Sequence, residues 1–359
     1  MAINKSVPIS AVELDNEMLP LVSGDSKSLR ALMDGTISGV VEDAVLTKLR
    51  SYAFYGCSSL PAVSFPECSE IPVRGFAECV NLSTAHFSKA TALREGAFES
   101  CFALQNAMLP ACEMLEKFAF FTCSQLTSIK LPVCSTFGDY AFSGCMQLSS
   151  ITASLCESLG RGAFWGCSNL RSVAFPLVTQ IPSNAFNDCG NLSVVIIPST
   201  ISIGSNAFSH CSSLKTIQFG HCVSLGASAF CDCRTMTTAV FPVCTAIPSY
   251  CFKNCRSLRT VTFPECVQVA SDAFKAAGVT SVSFPKITTI LSYAFRSANA
   301  LFSVWIGTSN CVLNNSNAFS GTRISSTAGF IYVPSDYVST YKTQTNWRYF
   351  SNRIFGYTP

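Results

Sequence analysis

The sequence predicts an α/β, β-rich solenoid of about thirteen coils of 22 residues, with one parallel β-sheet face, short helical or 3₁₀ turns and a cap at each end. Three observations predict it. Phe recurs at 54, 76, 98, 120, 142, 164, 186, 208, 230, 252 and 274, a constant interval of 22, and Phe295 and Phe319 continue the series at 21 and 24. Each copy carries a short apolar stretch of period two that usually runs into Pro, as in Val63-Ser64-Phe65-Pro66. A copy of 22 residues is also too short to enclose a core, so copies must stack in register and bury one another's apolar columns.

Within one coil the elements follow in order. The residue before each Phe is Ala in eleven of thirteen copies, with Gly75 and Cys251 the exceptions, so a small side chain belongs beside each ring. Cys follows three residues after the Phe in ten successive copies, from Cys57 to Cys255, and a Leu or Met column follows from Leu60 to Leu258. Apolar groups three apart fit a single helical or 3₁₀ turn. The next stretch, as in Val173-Ala174-Phe175-Pro176, alternates and stops at Pro, which reads as a strand with its middle residue facing solvent. One coil therefore reads A-F-x-x-C-x-x-L-x-x-V-x-F-P-x-C-x-x-I-P-x-x.

That unit resembles the BspA-like class of leucine-rich repeats, whose pattern is L-x-x-V/I-x-L/F-P-x-x-V-x-x-I-G-x-x-A-F-x-x-C-x-x-L. The resemblance runs over about residues 46 to 330 and implies a leucine-rich-repeat solenoid. Departures are small: Pro replaces Gly after Ile at Pro72, Pro182 and Pro248, a second Cys column is added, and Ala277, Ala298 and Thr322 replace the first Cys in the last copies. Residues 1–45 are expected to be a non-repeat segment serving as cap or attachment, 46–330 the solenoid, and 331–359 a strand-helix cap. In that cap Ile331-Tyr332-Val333-Pro334 reads as the strand, and Ser335 caps a helix from Asp336 with Tyr337, Val338, Tyr341, Trp347 and Phe350 as its apolar face.

Seventeen of the 20 Cys fall in the two columns. Parallel stacking points their side chains the same way, which suits buried, reduced packing residues better than disulfides. Cys231-x-Cys233 and Cys251-x-x-x-Cys255 raise a metal reading, but three of these four occupy packing columns. Cys231 occupies a position read as solvent-facing and is expected to be the most accessible thiol. No cofactor and no metal are expected. Catalysis has little to draw on, with three His at 86, 210 and 221 and no nucleophile-elbow, phosphate-loop or zinc-protease motif, so no enzyme is expected.

Charged residues are 13% of the chain against roughly 25% in ordinary soluble domains, and 24 Lys+Arg against 21 Asp+Glu leaves a net charge of +3. Without a basic block, nucleic acid is an unexpected partner. Apolar runs stop well short of a membrane span, and Met1-Ala2-Ile3-Asn4-Lys5 lacks the features of a secretory leader. Synthesis in a reducing cytoplasm fits the thiols, with a final location on a virion or a cell surface.

Function is expected on the concave sheet face, where the outward residue changes from copy to copy while the inward columns barely change. Three outward columns contain no Asp or Glu in the first ten copies, which points to a slightly basic face. The candidate ligand contacts are His86, Met108, Lys130, Arg171, Lys215, Gln218, Arg259 and Trp305. The leading reading is a recognition or adhesion scaffold for a cell-surface protein or glycan, since the resemblance implies surface attachment. The alternatives are a phage or prophage tail-associated receptor-binding protein, held or oligomerised through residues 1–45, and an intracellular structural scaffold.

Overall fold

The computed structural model describes residues 40–42, 44–326 and 328–358. The chain forms two compact units, one ending at Val178 and one beginning at Thr179, and each is a parallel β-solenoid of stacked coils. Most of the segment expected to act as N-terminal cap or attachment lies outside the described residues. Its end does not: Val40–Glu42 already pairs in register with Ala62–Ser64, so the coil pattern starts before residue 46.

In the first unit three-residue strands stack in parallel, with Ala62–Ser64, Thr84–His86 and Asn106–Met108 in register residue by residue. Each strand sits one residue earlier than the Val-x-Phe spacing suggests. Phe65 falls just past its strand yet still donates its N–H to the His86 carbonyl of the next coil, at 2.9 Å. The central residues Val63, Ala85 and Ile129 are buried and their neighbours face outward. A second ladder, absent from the sequence-based picture, is built from two-residue strands: Glu70–Ile71, Ala92–Leu93, Met114–Leu115, Thr136–Phe137 and Ser158–Leu159. Its inward residues Ile71, Leu93, Leu115 and Phe137 close the other side of the core.

The Ala-Phe turn forms a third ladder and is not the helical turn that the spacing predicts. Around Phe76, the N–H groups of Gly75, Ala77 and Cys79 close local turns onto the carbonyls of Pro72, Arg74 and Phe76. The alternate N–H groups of Arg74, Phe76 and Glu78 instead donate to Glu95, Ala97 and Glu99 of the next coil, at 2.9, 2.9 and 2.7 Å. Arg74 and Glu78 achieve this by adopting positive φ, at 50° and 61°, and the same two positions flank most other Phe residues. A helix cannot propagate through residues in the left-handed region, so the segment stays a string of turns. Among the described coils, a 3₁₀ helix at this position occurs at Ser316–Phe319.

The Phe rings stack along each unit. In the first, the centroids of Phe54, Phe76, Phe98, Phe120, Phe142 and Phe164 lie 5.1, 5.4, 5.4, 5.3 and 5.3 Å apart with near-parallel planes. In the second, the column runs from Phe186 through Phe208, Phe230, Phe252, Phe274 and Phe295 to Phe319. The second unit has the same plan, with Thr216–Gln218, Thr238–Val240 and Thr260–Thr262 in register.

The second unit ends in a cap. Strands Ser281–Phe284, Ser303–Ile306, Phe330–Pro334 and Ile354–Tyr357 form a parallel sheet, and the helix Val338–Thr343 and the segment Trp347–Arg353 cover the last coil. Tyr341, Trp347 and Phe350 are buried as the apolar pattern predicts, whereas Tyr337 is 39% exposed. Ser335 does not cap the helix. It belongs to the preceding 3₁₀ turn, and its hydroxyl donates to the Tyr357 carbonyl at 3.0 Å.

Phe142→Ala removes a ring held between Phe120 and Phe164 and should cost about 3–5 kcal/mol in urea unfolding. Phe102→Ala, at a side chain 46% exposed, should stay within about 0.5 kcal/mol of the parent. Equal effects of the two substitutions would show that the ring column does not support the fold.

Candidate functional site

The outward face of the strand ladder places the candidate contacts unit by unit. In the first unit Ser64, His86 and Met108 stand side by side on paired strands, and Lys130 is paired with Thr152. Met108 is 59% exposed, and Lys130 and Arg171 are exposed. His86 is half-buried, with both ring nitrogens engaged: Nδ1 lies 3.3 Å from the Ser64 hydroxyl and Nε2 lies 2.7 Å from that of Ser88. In the second unit Gln218 lies in register with Val240 and Thr262, and Lys215 stands exposed just before the same strand.

Two candidates are less available than their exposed positions suggest. Arg259 Nη1 donates to the carbonyls of Gly278, Arg256 and Leu258 at 2.7, 3.0 and 3.2 Å, which makes its side chain a brace between coils. The brace fills space opened by Gly278, where an added Cβ would lie 2.1 Å from Nη1. Trp305 is half-buried, stacked on Tyr332 at 4.1 Å and met edge-on by Tyr357 at 5.2 Å.

The strand face is not free of carboxylates, because exposed Glu42 lies in register with Ser64 at the start of the ladder. Acidic residues of the first unit pair elsewhere on the coil, with Glu67 on Lys89 at 2.6 Å, Glu70 and Glu116 on Arg94 at 2.6 and 3.0 Å, and Glu95 on Lys117 at 3.1 Å. Partners at successive coils hold these pairs together. On the strand face of this unit Lys130 stands exposed.

All 20 cysteines are free and buried. The first column has a specific bonding role: Cys79 Sγ donates to the Phe54 carbonyl at 2.9 Å, Cys101 to Phe76 at 3.0 Å and Cys145 to Phe120 at 3.1 Å. Each of these carbonyls also accepts the N–H of the Cys in its own coil, so the thiol occupies its second acceptor site. Burial pushes the thiols of Cys57 up to about 11 and those of Cys222 and Cys266 up to about 12. Cys231 is the most exposed of the set but is buried at 8% exposure, which corrects its reading as solvent-facing. Its Sγ lies 3.3 Å from Asp232 Oδ2, and burial together with that carboxylate pushes its pKa to about 11. Asp232 is held by Arg234 at 3.0 Å and Asn254 at 3.2 Å. Among the described residues, no group of three or more His, Cys, Asp or Glu is placed to hold a metal ion.

The model of the BspA type leucine-rich repeat region matches residues 37–148, 135–243 and 223–336, in six copies. The chain belongs to the BspA-type leucine-rich repeat family. A leucine-rich repeat protein from Bacteroides ovatus is 20% identical over 86% of each chain, with a TM-score of 0.65, and shares the fold. A leucine-rich cell surface protein from Faecalibacterium prausnitzii is 20% identical over 87% of this chain and 81% of its own, with a TM-score of 0.36. The pneumococcal vaccine antigen PcpA is 14% identical over 90% and 79%, with a TM-score of 0.47. No curated protein matches the sequence. Among the described residues, no helix is long and apolar enough to cross a membrane.

A cleft lies outside the strand face of this BspA-type chain. A cleft of about 480 Å³ opens in the second unit where Ser316, Asn317 and Ser320 face Tyr349, Asn352 and Arg353. The signal for it in the sequence is the 24-residue interval from Phe295 to Phe319, the longest in the series. An interval that departs from 22 marks a coil that leaves the common outline.

With a pKa near 11, about one Cys231 thiol in a thousand is thiolate at pH 8, so iodoacetamide should label the native protein slowly, with Cys231 first. Peptide mapping that finds another Cys labelled earlier would contradict the burial order. The thiols should also set an alkaline limit. Their pKa values are raised on folding, so their contribution to stability is complete below about pH 9 and is lost as pH rises towards 11–12. Thermal melting followed from pH 8 to 11 should show a falling midpoint that starts near pH 9.

Proposed function

We propose that the protein is a non-enzymatic recognition scaffold that binds a cell-surface protein or glycan along its strand face. The observation that carries this reading is the contrast between neighbouring positions on one strand. Inward residues such as Val63, Ala85 and Ala107 repeat a small apolar theme, while the outward residues in register with one another run Ser64, His86, Met108. Neither packing nor the ladder hydrogen bonds dictate the outward identities, because backbone groups make the ladder. An extended ligand lying across several strands meets a new side chain about every 4.8 Å.

Contacts of this kind are individually weak and sum over many coils, which suits a large or repetitive ligand better than a small one. Exposed Lys130 and Lys215 supply the charge that favours an anionic or hydroxyl-rich surface. Met108 adds an adaptable apolar contact beside His86. Membership of the BspA-type family supports a repeat scaffold of this class.

The test is binding of labelled full-length protein to a panel of bacterial cells and immobilised matrix proteins, alongside the variant Met108→Asp, Lys130→Glu, Lys215→Glu. These side chains are exposed, so the melting temperature should not move. Saturable binding that the variant weakens about tenfold or more would support the strand face. Absence of saturable binding to every surface, or undiminished binding by the variant, would overturn it.

A further inference from the structure

We infer that the strand face of the second unit ends in a site for a neutral sugar ring of a glycan, built on the open face of Trp305. This rests on the reading that the strand face binds ligand, and it names the ligand class for one end of that face. Ser283, Trp305 and Tyr332 lie in register on three successive strands. Tyr332 covers the indole on one side, with ring centroids 4.1 Å apart and an interplanar angle of 15°. Rings stacked from coil to coil stand across the solenoid axis, so the other face of the indole looks back along the strand face over Ser283. Ser283 is exposed and too short to cover it.

The indole is held in this position before any ligand arrives. Tyr357 lies T-shaped against it at 5.2 Å, and the Tyr357 hydroxyl donates to the Ile306 carbonyl at 3.4 Å. A ring already fixed loses little rotamer freedom on binding. Its N–H takes no part in this anchoring. Trp347 Nε1 donates to the Cys311 carbonyl at 2.7 Å, whereas among the described residues Trp305 Nε1 has no hydrogen-bond partner, which leaves a donor beside the open face.

The floor in front of the indole is polar and uncharged. On the two strands before it the outward residues are Thr260, Thr262, Ser281 and Ser283, all exposed. Ser303 donates to the Ser281 hydroxyl at 2.7 Å, which leaves the Ser281 proton to donate outward. The hydroxyls of Thr260, Thr262 and Ser283 make no hydrogen bond among the described residues. Thr237 and Thr288, by contrast, donate to carbonyls of the preceding coil at 3.2 and 2.9 Å. An aromatic wall rising from a hydroxyl floor fits a pyranose, whose C–H face stacks on the indole while its rim of hydroxyls exchanges hydrogen bonds with Thr and Ser. An apolar peptide would cover these hydroxyls without matching them. An anionic ligand would meet Arg259 already committed to its brace between coils.

Calorimetric titration of the full chain tests this with maltotetraose, cellotetraose and triacetylchitotriose as neutral probes, trigalacturonic acid as the acidic counterpart and tetraalanine as the peptide control. At least one neutral probe should bind saturably near the millimolar range, about tenfold or more tighter than the acidic and peptide probes. Ser283→Tyr lays a ring over the open face and leaves Trp305 in place, so it should abolish that binding without moving the melting temperature. Trp305→Ala should abolish it too, and Trp305→Phe, which keeps a ring but not the N–H, should retain part of it. Saturable binding to cells or matrix proteins without binding of any neutral probe would overturn this inference and spare the broader reading, whereas absence of both would overturn the two together. Equal binding of trigalacturonic acid or tetraalanine, or full binding by Ser283→Tyr, would overturn the inference alone.

Discussion

The structure depends on one packing relation, the stacking of a Phe ring on the equivalent ring of the next coil. Centroids 5.1–5.4 Å apart in the first unit exceed the roughly 4.8 Å between strands, so near-parallel rings stack with an offset. Such stacking fixes where each ring must sit. Coils of 21 and 24 residues still place Phe295 and Phe319 on the column, at 5.2 and 5.5 Å from the preceding ring. They take up the difference away from the ring, whereas the interval of 22 persists through the eleven earlier copies. Ala before the ring follows from the same relation. Its carbonyl accepts the N–H of the previous coil's Phe, and a larger side chain there would separate the coils. The Cys three residues on adds a thiol small enough for the interior and able to occupy the second acceptor site of the Phe carbonyl.

Because three backbone ladders and a ring column already hold each unit, outward side chains are released from structural duty. Hydroxyls on the turns and between strands often reinforce the ladders, as Ser149 does on the Thr127 carbonyl at 3.1 Å, but the middle of the strand face is not needed for that. Arg259 shows how the freedom ends. Where the interval shortens to 21 and Gly278 leaves a gap, an outward side chain is drawn into bracing the coils.

Much of this was legible in the sequence, and the parts that were not have a common cause. Column identities report which residues are buried, so the ring stack, the thiol burial and the strand at Val63 could be read from Phe54, Cys57 and Val63 alone. Backbone conformation leaves a weaker trace. The positions flanking most Phe residues by two adopt positive φ; some hold Gly, Asn or Asp, such as Gly96, Asn184 and Asp188, but others hold Tyr52, Arg74, Ser100 or Thr122, residues that carry no left-handed signature, so the column shows no single mark. Hydrogen bonds to the next coil impose that conformation, so a local reading assigns a helical turn instead. The two-residue strands at Glu70–Ile71 and its equivalents escaped for a similar reason, since two residues cannot display a period. Cys231 was misplaced because its neighbours in the column are polar, whereas its own burial comes from Asp232 and the side chains around it.

A regular stack also determines where a concave site can arise. Coils of identical outline generate ridges and flat faces but no enclosed pocket, because whatever one coil recesses its neighbour recesses equally. Enclosure needs a break in the repeat, and the end of the second unit supplies one. There the last ring, Phe319, meets Phe350 edge-on at 5.4 Å and Trp347 at 6.1 Å instead of another stacked Phe. The cap fastens to open carbonyls: Trp347 Nε1 donates to Cys311 at 2.7 Å, Tyr341 OH to Thr308 at 3.0 Å and Asn346 Nδ2 to Leu313 at 2.9 Å. Having satisfied the exposed end, the cap does not follow the coil outline, and the mismatch leaves the cleft between Ser316–Phe319 and Trp347–Arg353. Termination of the solenoid and formation of its pocket are thus one event, so substitutions that regularise the last coil should fill the cleft while leaving the strand face unchanged.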